Sequence, residues 1–373
     1  MKMKAAVYRG PGDIRVEEVE RPKAGDCGVV VKVGACGLCP IIDLAHYKMS
    51  FPLKDVPPHR QADPLTATSG IVLGHEFSGE AVEVGSKTTA VKKGDRLYGI
   101  TWCPCGKCVA CRAGNPEECI FIDAAGRVAN GAMAEYILFP NVVYPSVTPD
   151  KLIKLKEGMS FRDGALLEPM RLGLGLANKA KPGDVVAVFG QEVIGLTAVA
   201  RLKSIGAAMV IAIDVSKKRL EASRDAGADL VIDALHDDIF GSVMEATSGG
   251  GADVAIEVSC RPESLQEAVN VLKPFGDIWL GTFYTAGPFF NPSWQYPGMI
   301  SMNITQKAGA SIHCAWGTLG PWLPNLQLAS DMILSGKITA DKVVTHVFPL
   351  EEAKEAFEAA LNPHESIKVM IEP

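Results

Sequence analysis

The sequence predicts an α/β protein with two domains, a β-rich first domain and a second domain built on a doubly wound parallel sheet. Short β-branched runs, separated by Gly and Pro, occupy roughly the first hundred residues. From residue 185 onward, apolar strand candidates alternate with helical patterns, which is typical of a parallel sheet. At 373 residues, the chain is long enough to build two large cores.

The β-rich part continues on both sides of a cysteine-rich loop. Its predicted strands span residues 5–8, 14–19, 29–33, 77–84, 96–100, 134–139 and 152–155. Strands this short, divided by turn residues, favour a compact antiparallel barrel or a sandwich, and both remain open. Residues 50–70 are Pro-rich and lack periodicity, so we expect a surface excursion near the mouth of a pocket.

The second part begins after an apolar helix at 162–180. Its predicted strands are 185–189, 209–213, 230–232, 254–258 and 278–280, with a sixth, edge strand within 304–314. Helices are predicted between them at 194–204, 217–226, 238–247 and 263–272. Because the strands are almost continuously apolar, we expect helices on both faces of the sheet.

The chain ends with an amphipathic helix at 350–361 and a strand at 367–371. We expect this strand to pair within the first domain, since it would otherwise be an exposed edge. The predicted domains are therefore 1–165 with 320–373, and 166–319.

The composition excludes several classes of function. With a net charge of −6 and no basic block, we expect no nucleic-acid partner. The first ten residues contain no apolar signal region, and no apolar run reaches the ~18 residues of a membrane span, so we expect no membrane association. Ten cysteines in such a chain indicate reduced thiols and metal binding, hence a cytoplasmic protein.

Four cysteines predict a structural zinc site: Cys105, Cys108, Cys111 and Cys119. They lie in a short polar loop that cannot bury an apolar core of its own. Four thiolates around one tetrahedral zinc ion would hold it together, with no position open for substrate. Disulfides are the alternative, but the absence of a secretory signal and the metal-like spacing argue against them.

A reactive metal site is predicted elsewhere. Cys39 follows Gly37 and Leu38, and His75 comes 36 residues after it, directly before Glu76. A catalytic zinc ion takes three protein ligands, commonly from separate loops, and keeps one position open. Glu168 is the candidate for the third ligand.

A nucleotide-binding turn is predicted at 190–195, between the strand 185–189 and a helix. Asp214, 24 residues after Gly190, closes the next strand and favours NAD over NADP, although Lys217 and Lys218 leave some use of NADP open. A carboxylate at position 192, where the fingerprint has Gly, should repel the pyrophosphate unless its side chain turns outward. The predicted cofactor-binding residues are Gly190, Glu192, Val193, Ile194, Gly195 and Asp214.

Together these motifs resemble the medium-chain zinc-dependent alcohol and polyol dehydrogenases, in the branch of the sorbitol, threonine and glucose dehydrogenases. The likeness runs nearly end to end and includes Leu-Glu-Pro at 167–169 and the closing AFEAAL helix. It implies a GroES-like β-barrel catalytic domain, a Rossmann domain, NAD, one catalytic zinc and one structural zinc. It also implies that Cys39, His75 and Glu168 bind zinc, directly or through water, and that Glu76 exchanges with water.

The resemblance further assigns Asp43 as the carboxylate that hydrogen-bonds the ligand histidine. Here the sequence departs from the family. The usual Cys-Gly-Ser/Thr-Asp is replaced by Cys-Pro-Ile-Ile-Asp at 39–43, one residue longer and without a hydroxyl to start a proton relay. His46, Tyr47, or zinc-bound water with Glu76 could take over. Alternatively, His46 and Tyr47 simply pack.

The predicted function is hydride transfer between NAD(H) and a secondary alcohol or ketone, such as a polyol, sugar, cyclic or acyl-linked alcohol. Arg171 could bind an anionic substrate group, or pair with Glu168. Two alternatives remain open: a zinc lyase, hydratase or alkene reductase on the same fold, and a non-catalytic zinc protein that has lost cofactor binding. By family analogy we expect a homodimer or homotetramer formed through the edge strand at 304–314.

Overall fold

The computed structural model describes residues 1–48, 70–99, 102–103, 107–114, 123–124, 130–139, 152–282, 309–314 and 322–373. They form two compact units. The first unit contains Met1–Glu168, Val344–Asn362 and Lys368–Pro373, and the second contains Pro169–Val343 and Pro363–Ile367. The Pro-rich excursion predicted at 50–70 falls almost entirely outside the described residues, as do Cys105 and Cys119 of the cysteine loop.

The described strands are β1 (Lys2–Gly10), β2 (Asp13–Glu20), β3 (Val29–Gly37), β4 (Ile71–Val72), β5 (Glu76–Val84), β6 (Arg96–Gly99), β7 (Trp102–Cys103), β8 (Asp123–Ala124), β9 (Tyr136–Phe139), β10 (Leu152–Lys154), β11 (Val185–Phe189), β12 (Met209–Asp214), β13 (Leu230–Asp233), β14 (Ala252–Glu257), β15 (Leu272–Leu280), β16 (Ser311–Cys314), β17 (Val344–Pro349) and β18 (Lys368–Glu372). The described helices are α1 (Asp43–Lys48), α2 (Val109–Arg112), α3 (Phe161–Ala177), α4 (Val193–Ser204), α5 (Lys217–Ala226), α6 (Ile239–Ala246), α7 (Pro262–Val271), α8 (Trp322–Leu334), α9 (Ala340–Val343) and α10 (Ala353–Ala360).

The first unit is built on the predicted β-branched strands. Its larger sheet runs in the order β10-β6-β5-β3-β18-β17, with β9 also paired to β3, and a smaller sheet runs β2-β1-β4. Side chains alternate between faces along a strand, so Val29, Val31 and Val33 point together into a core that also contains Phe77 and Phe139. In register, Gly37 of β3 lies opposite Glu76 of β5, which places the ends of these two strands side by side.

The terminal strand pairs in the first unit, as expected. β18 is antiparallel to β3, with Met370 opposite Gly37, and parallel to β17. It therefore lies inside the sheet, between β3 and β17, and is not an exposed edge. The first residue of this strand, Lys368, is consequently carried into the same region as Gly37 and Glu76.

The second unit contains a parallel sheet in the order β13-β12-β11-β14-β15-β16. The order reverses between β11 and β14, the switch point at which doubly wound sheets bind ligands. The predicted strands and helices of this region are confirmed, and β16 confirms the sixth strand expected within 304–314. Its core includes Phe189, Ile211, Ile213 and Ile278.

The structure differs from the prediction in the length of the first helix and in the end of the second unit. The helix predicted at 162–180 is α3, which runs from Phe161 to Ala177 and contains Pro169. The helices α8 and α9 group with the second unit, whereas the sequence prediction places 320–373 in the first domain. Among the helices of the described ranges, none has both the length and the apolar character of a membrane span.

The close pairing of β3 and β5 can be tested at Gly79. A Cβ atom at this position would lie 2.1 Å from the carbonyl oxygen of Lys32 on the paired strand. We expect Gly79→Ala to lower the free energy of unfolding by about 1–3 kcal/mol, because backbone atoms must move apart. Urea denaturation followed by circular dichroism measures this, with the exposed neighbour Glu80→Ala as control. Equal midpoints for the two variants would contradict the prediction.

Candidate active site

Three side chains that could hold a metal ion lie together inside the first unit. Cys39 follows β3, His75 precedes β5, and Glu76 is the first residue of β5. The Cys39 sulfur, an imidazole nitrogen of His75 and a carboxylate oxygen of Glu76 all lie within 4.8 Å of one another, and all three residues are buried. The β3–β5 register explains the meeting, because it sets the C-terminal end of one strand beside the start of the other.

Two glycines make room for this cluster. A Cβ atom on Gly37 would lie 2.4 Å from Oε2 of Glu76, so a side chain there would displace the carboxylate. Gly74 has φ of +96°, a left-handed backbone conformation that favours glycine. A Cβ atom on Gly74 would also lie 2.7 Å from the sulfur of Cys36. Both motif glycines are therefore required by the geometry around His75 and Glu76.

Asp43 lies next to two of the predicted zinc ligands, Cys39 and His75. It begins α1, and its Oδ2 accepts a hydrogen bond of 3.0 Å from the backbone N–H of Cys39. Its Oδ1 lies 3.8 Å from Nδ1 of His75, which is an ion-pair distance and longer than a hydrogen bond. Complete burial raises the pKa of the Asp43 carboxyl, while His75 opposes this rise. Asp43 therefore stands where it can orient both the thiol and the imidazole.

Glu76 is paired with a buried lysine that the sequence analysis missed. Nζ of Lys368 lies 3.0 Å from Oε2 of Glu76 and donates a 2.9 Å hydrogen bond to the carbonyl of Leu38. Both side chains are within 1% of complete burial. Burial raises the pKa of Glu76 to about 7, against the lowering effects of Lys368 and His75. The only signal in the sequence is one cation inside the apolar run Ile-Lys-Val-Met-Ile.

Glu168, the predicted third ligand, is buried on α3. It is not a member of the 4.8 Å group formed by Cys39, His75 and Glu76. It lies close enough to influence that group, since its charge raises the pKa of both Glu76 and Cys39. Arg171 is also buried and follows one turn later on the same helix.

The thiol of Cys39 needs a cation to ionise. Burial raises its pKa well above the ordinary value, and the carboxylates of Glu76 and Asp43 add to the effect. A bound divalent metal would instead favour the thiolate form of Cys39, because metal binding displaces the thiol proton. Sulfur, nitrogen and oxygen donors at one buried point are the set that suits zinc. The residues present therefore fit a zinc ion.

The candidates for a proton relay lie on α1. His46 is buried, and its backbone carbonyl accepts a 3.1 Å hydrogen bond from the hydroxyl of Tyr8. The hydroxyl of Tyr47 donates a hydrogen bond to the carboxylate of Glu358. The centroid of its ring lies 5.0 Å from that of Phe357. Burial, together with Glu358, raises the pKa of Tyr47 to about 12. The geometry thus supports the packing interpretation for Tyr47.

Half of the predicted structural zinc site is described. Cys108 precedes α2 and Cys111 lies within it, and their sulfur atoms are 3.4 Å apart. Sulfur atoms this close can ligate one ion. The other two predicted ligands, Cys105 and Cys119, lie outside the described residues.

The predicted nucleotide-binding turn connects β11 to α4. Gly190 has φ of +93°, and a Cβ atom on Gly195 would lie 1.9 Å from the carbonyl oxygen of Gly190. The side chains of Val193 and Ile194 are buried, so these two residues can reach a cofactor only through their backbone. This is the tight turn that a dinucleotide pyrophosphate requires, and the residues fit the cofactor.

Asp214 closes β12 and holds the turn in place. Its Oδ2 accepts a 2.6 Å hydrogen bond from the backbone N–H of Gln191, and its Oδ1 accepts one of 2.9 Å from Ser216. Glu192 is the N-cap residue of α4, but its side chain makes no capping hydrogen bond. Instead, its Oε1 lies 3.7 Å from Nη2 of Arg219, a residue that the sequence analysis also missed.

Comparison with known proteins gives consistent matches. The alcohol dehydrogenase GroES-like domain matches residues 25–148, and the zinc-binding dehydrogenase family matches residues 193–315. The chain is 31% identical to (R,R)-butanediol dehydrogenase of Bacillus subtilis over 381 residues, 100% of both chains. It is 28% identical to sorbitol dehydrogenase of the same organism, over 100% of this chain and 97% of the relative. A Sinorhizobium meliloti structure with bound NADP has a TM-score of 0.79 at 25% identity and 100% coverage of both chains. These matches confirm the predicted GroES-like and Rossmann folds.

The buried Lys368–Glu76 pair predicts an effect on metal affinity. We expect Lys368→Met to weaken zinc binding about tenfold, because Glu76 without its cation keeps a proton that zinc must displace. Zinc retained during dialysis against a chelator, measured by mass spectrometry, tests this. Lys32→Met, at an exposed position of β3, is the matched control. Equal retention in both variants would show that Lys368 has no influence on the metal.

Proposed function

Because the chain belongs to the family of zinc-binding alcohol dehydrogenases, we propose that its buried Cys39–His75–Glu76 cluster is the catalytic centre. The protein is a zinc-dependent oxidoreductase of secondary alcohols and ketones. One observation carries the assignment of the site. Three donors of different chemistry, from two separate loops of the sequence, come within 4.8 Å of one another in the interior.

The catalytic zinc ion would be held by Cys39, His75 and Glu168, directly or through water, with Glu76 as the carboxylate that exchanges with water. When bound, zinc supplies a Lewis acid for the oxygen of the alcohol or ketone. The chain's own residues fix the donors in advance. Asp43 accepts the N–H of Cys39 and faces His75 at 3.8 Å, so one carboxylate orients the loops of both ligands.

Lys368 controls the charge of Glu76. Since the pKa of Glu76 is raised to about 7, its carboxyl group can change protonation near neutral pH. A cation at 3.0 Å favours the ionised form, in which the carboxylate can bind a metal or accept a proton. The hydrogen bond from Lys368 to the carbonyl of Leu38 anchors this cation next to Cys39.

We assign the proton-relay role to His46. It follows Asp43 by three residues on α1, and side chains at this spacing lie on the same face of a helix. Tyr47 is engaged by Glu358 and has a pKa raised to about 12, which makes it a poor acid or base at neutral pH. An imidazole has two ring nitrogens, one of which can accept a proton while the other donates one.

The nucleotide would be held by the turn from Gly190 to Gly195 and by Asp214. When bound, the nicotinamide supplies the hydride acceptor or donor. Gly190 and Gly195 permit the close turn, and the N–H groups at the start of α4 face an anion favourably. Asp214 supports NAD as the cofactor, since a carboxylate there accepts the adenosine ribose hydroxyls.

Three further assignments belong to this proposal. Cys105, Cys108, Cys111 and Cys119 bind a structural zinc ion, supported by the close sulfur atoms of Cys108 and Cys111. The cytoplasm, a reducing compartment, would keep these four cysteines reduced and able to bind zinc. A homodimer or homotetramer would use β16, which is the edge strand of the parallel sheet within the described residues.

A panel of polyols and other secondary alcohols, with NADH absorbance as the readout, tests the function. We expect zinc-dependent oxidation by the wild-type protein and a loss of about 100-fold or more in kcat/KM for His75→Ala, because the metal loses a ligand. His236→Ala, at an exposed histidine of the second unit, serves as control. No turnover of any alcohol or ketone by zinc-loaded protein would count against an oxidoreductase.

Metal content and NADH titration separate the proposal from a non-catalytic zinc protein. The proposal requires about two zinc ions per chain and saturable NADH binding. One zinc ion and no response to NADH would refute it.

A further inference from the structure

We propose that Glu192 determines the nucleotide preference of this protein by holding Arg219, so that the site selects NAD(H) over NADP(H). The inference deepens the proposed function and rests on it, because it concerns the nucleotide site assigned there. It makes the residue that replaces a fingerprint glycine a specificity-determining residue.

The guanidinium of Arg219 makes one hydrogen bond and lies at ion-pair distance from two carboxylates. Its Nε donates a 2.7 Å hydrogen bond to the carbonyl of Ser366. Its Nη2 lies 3.7 Å from Oε1 of Glu192, and its Nη1 lies 3.9 Å from Oδ2 of Asp214. Because the guanidinium is planar, the bond at Nε fixes the direction of both terminal nitrogens. Each of them therefore faces a carboxylate already present in the fold.

The two carboxylates are themselves held by the sheet. Asp214 accepts backbone hydrogen bonds from Gln191 and Ser216 at the ends of β11 and β12. Glu192 is positioned as the residue before α4, where its carbonyl accepts the N–H of Leu196 at 2.9 Å. The side chains of Glu192 and Arg219 are only 15% and 13% exposed, so solvent screens the pair less than it would on an open surface.

The resulting charge pattern disfavours a 2′-phosphate. Asp214 occupies the position that accepts adenosine ribose hydroxyls in dinucleotide-binding folds. Asp214 and Glu192 supply two carboxylates against the single guanidinium of Arg219, so these three side chains together carry a net negative charge. A 2′-phosphate would need a cation that is free to turn toward it, and Glu192 draws one end of Arg219 away. Lys218 is one of the two lysines that could allow some use of NADP. Its ammonium group donates a 2.9 Å hydrogen bond to the carbonyl of Glu365.

The Glu192–Arg219 pair also explains how a carboxylate at position 192 is compatible with a bound pyrophosphate. A carboxylate at position 192 is expected to repel the pyrophosphate. In the structure it faces Arg219, which offsets its charge. NADH can thus be accepted with Glu192 in place, while the 2′-phosphate of NADPH meets an engaged cation. Glutamate in place of glycine at position 192 therefore weakens NADH binding little and NADPH binding strongly.

The test measures the dissociation constants of NADH and NADPH by nucleotide fluorescence, using the full-length, zinc-loaded protein. We expect Glu192→Gln to lower the ratio of the NADPH constant to the NADH constant at least about fivefold, because Arg219 is released toward the 2′-phosphate. Glu192→Ala is expected to act in the same direction. In the double variant Glu192→Gln/Arg219→Ala, the ratio should not fall. Glu221→Gln, at an exposed position of α5, is the control and should leave the ratio unchanged.

The outcomes distinguish this inference from the proposed function. The role of the pair is overturned if the ratio of the NADPH constant to the NADH constant stays within about twofold of wild type in both Glu192 variants. It is also overturned if the ratio falls equally in the double variant that lacks Arg219. In either case, NADH binding by the wild-type protein would still support the nucleotide site. A wild-type protein that binds neither nucleotide overturns the proposed function, and this inference with it.

Discussion

The first unit is organised by the need to balance charge in its interior. Asp43 and Glu76 bury two carboxylates beside the thiol of Cys39, and the buried cation of Lys368 is paired with Glu76. Buried charges are tolerated only when they are paired or bound to a metal. One lysine cannot balance two carboxylates and a thiolate, whereas a lysine with a divalent ion can. The protein interior therefore favours a cation at this point before any substrate is considered.

This balance depends on strand pairing between distant parts of the chain. Lys368 reaches Glu76 only because β18 inserts beside β3, which is itself paired with β5. Gly37 lies where these strands adjoin, and a side chain there would take the space of the Glu76 carboxylate. The C-terminal residues thus complete a site in which the clustered donors Cys39, His75 and Glu76 come from the first eighty residues.

Local patterns were sufficient to predict the donors and the framework. The β-branched runs, the glycine turn and the spacing of Cys39, His75 and Glu76 are all visible over short stretches of sequence. Lys368 was missed because its position in an apolar run does not reveal Glu76, 292 residues away, as its partner. Arg219 was missed because nothing in the sequence indicates that it faces Glu192. Glu192 was recognised as unusual, but its consequence depends on where Arg219 lies. Sequence patterns therefore find residues that carry chemistry, and long-range pairing decides their charge.

The departure at residues 39–43 shows how the fold absorbs a change in a motif. One residue is inserted between Cys39 and Asp43, yet the carboxylate still accepts the N–H of Cys39 and still faces His75. This is possible because Asp43 begins α1, so the extra residue is taken up in the turn before the helix. The hydroxyl that normally starts the relay is lost, but the helix carries an imidazole one turn after Asp43. Asp43 stays next to both Cys39 and His75, so the loss of the hydroxyl affects proton transfer and not the orientation of these two residues.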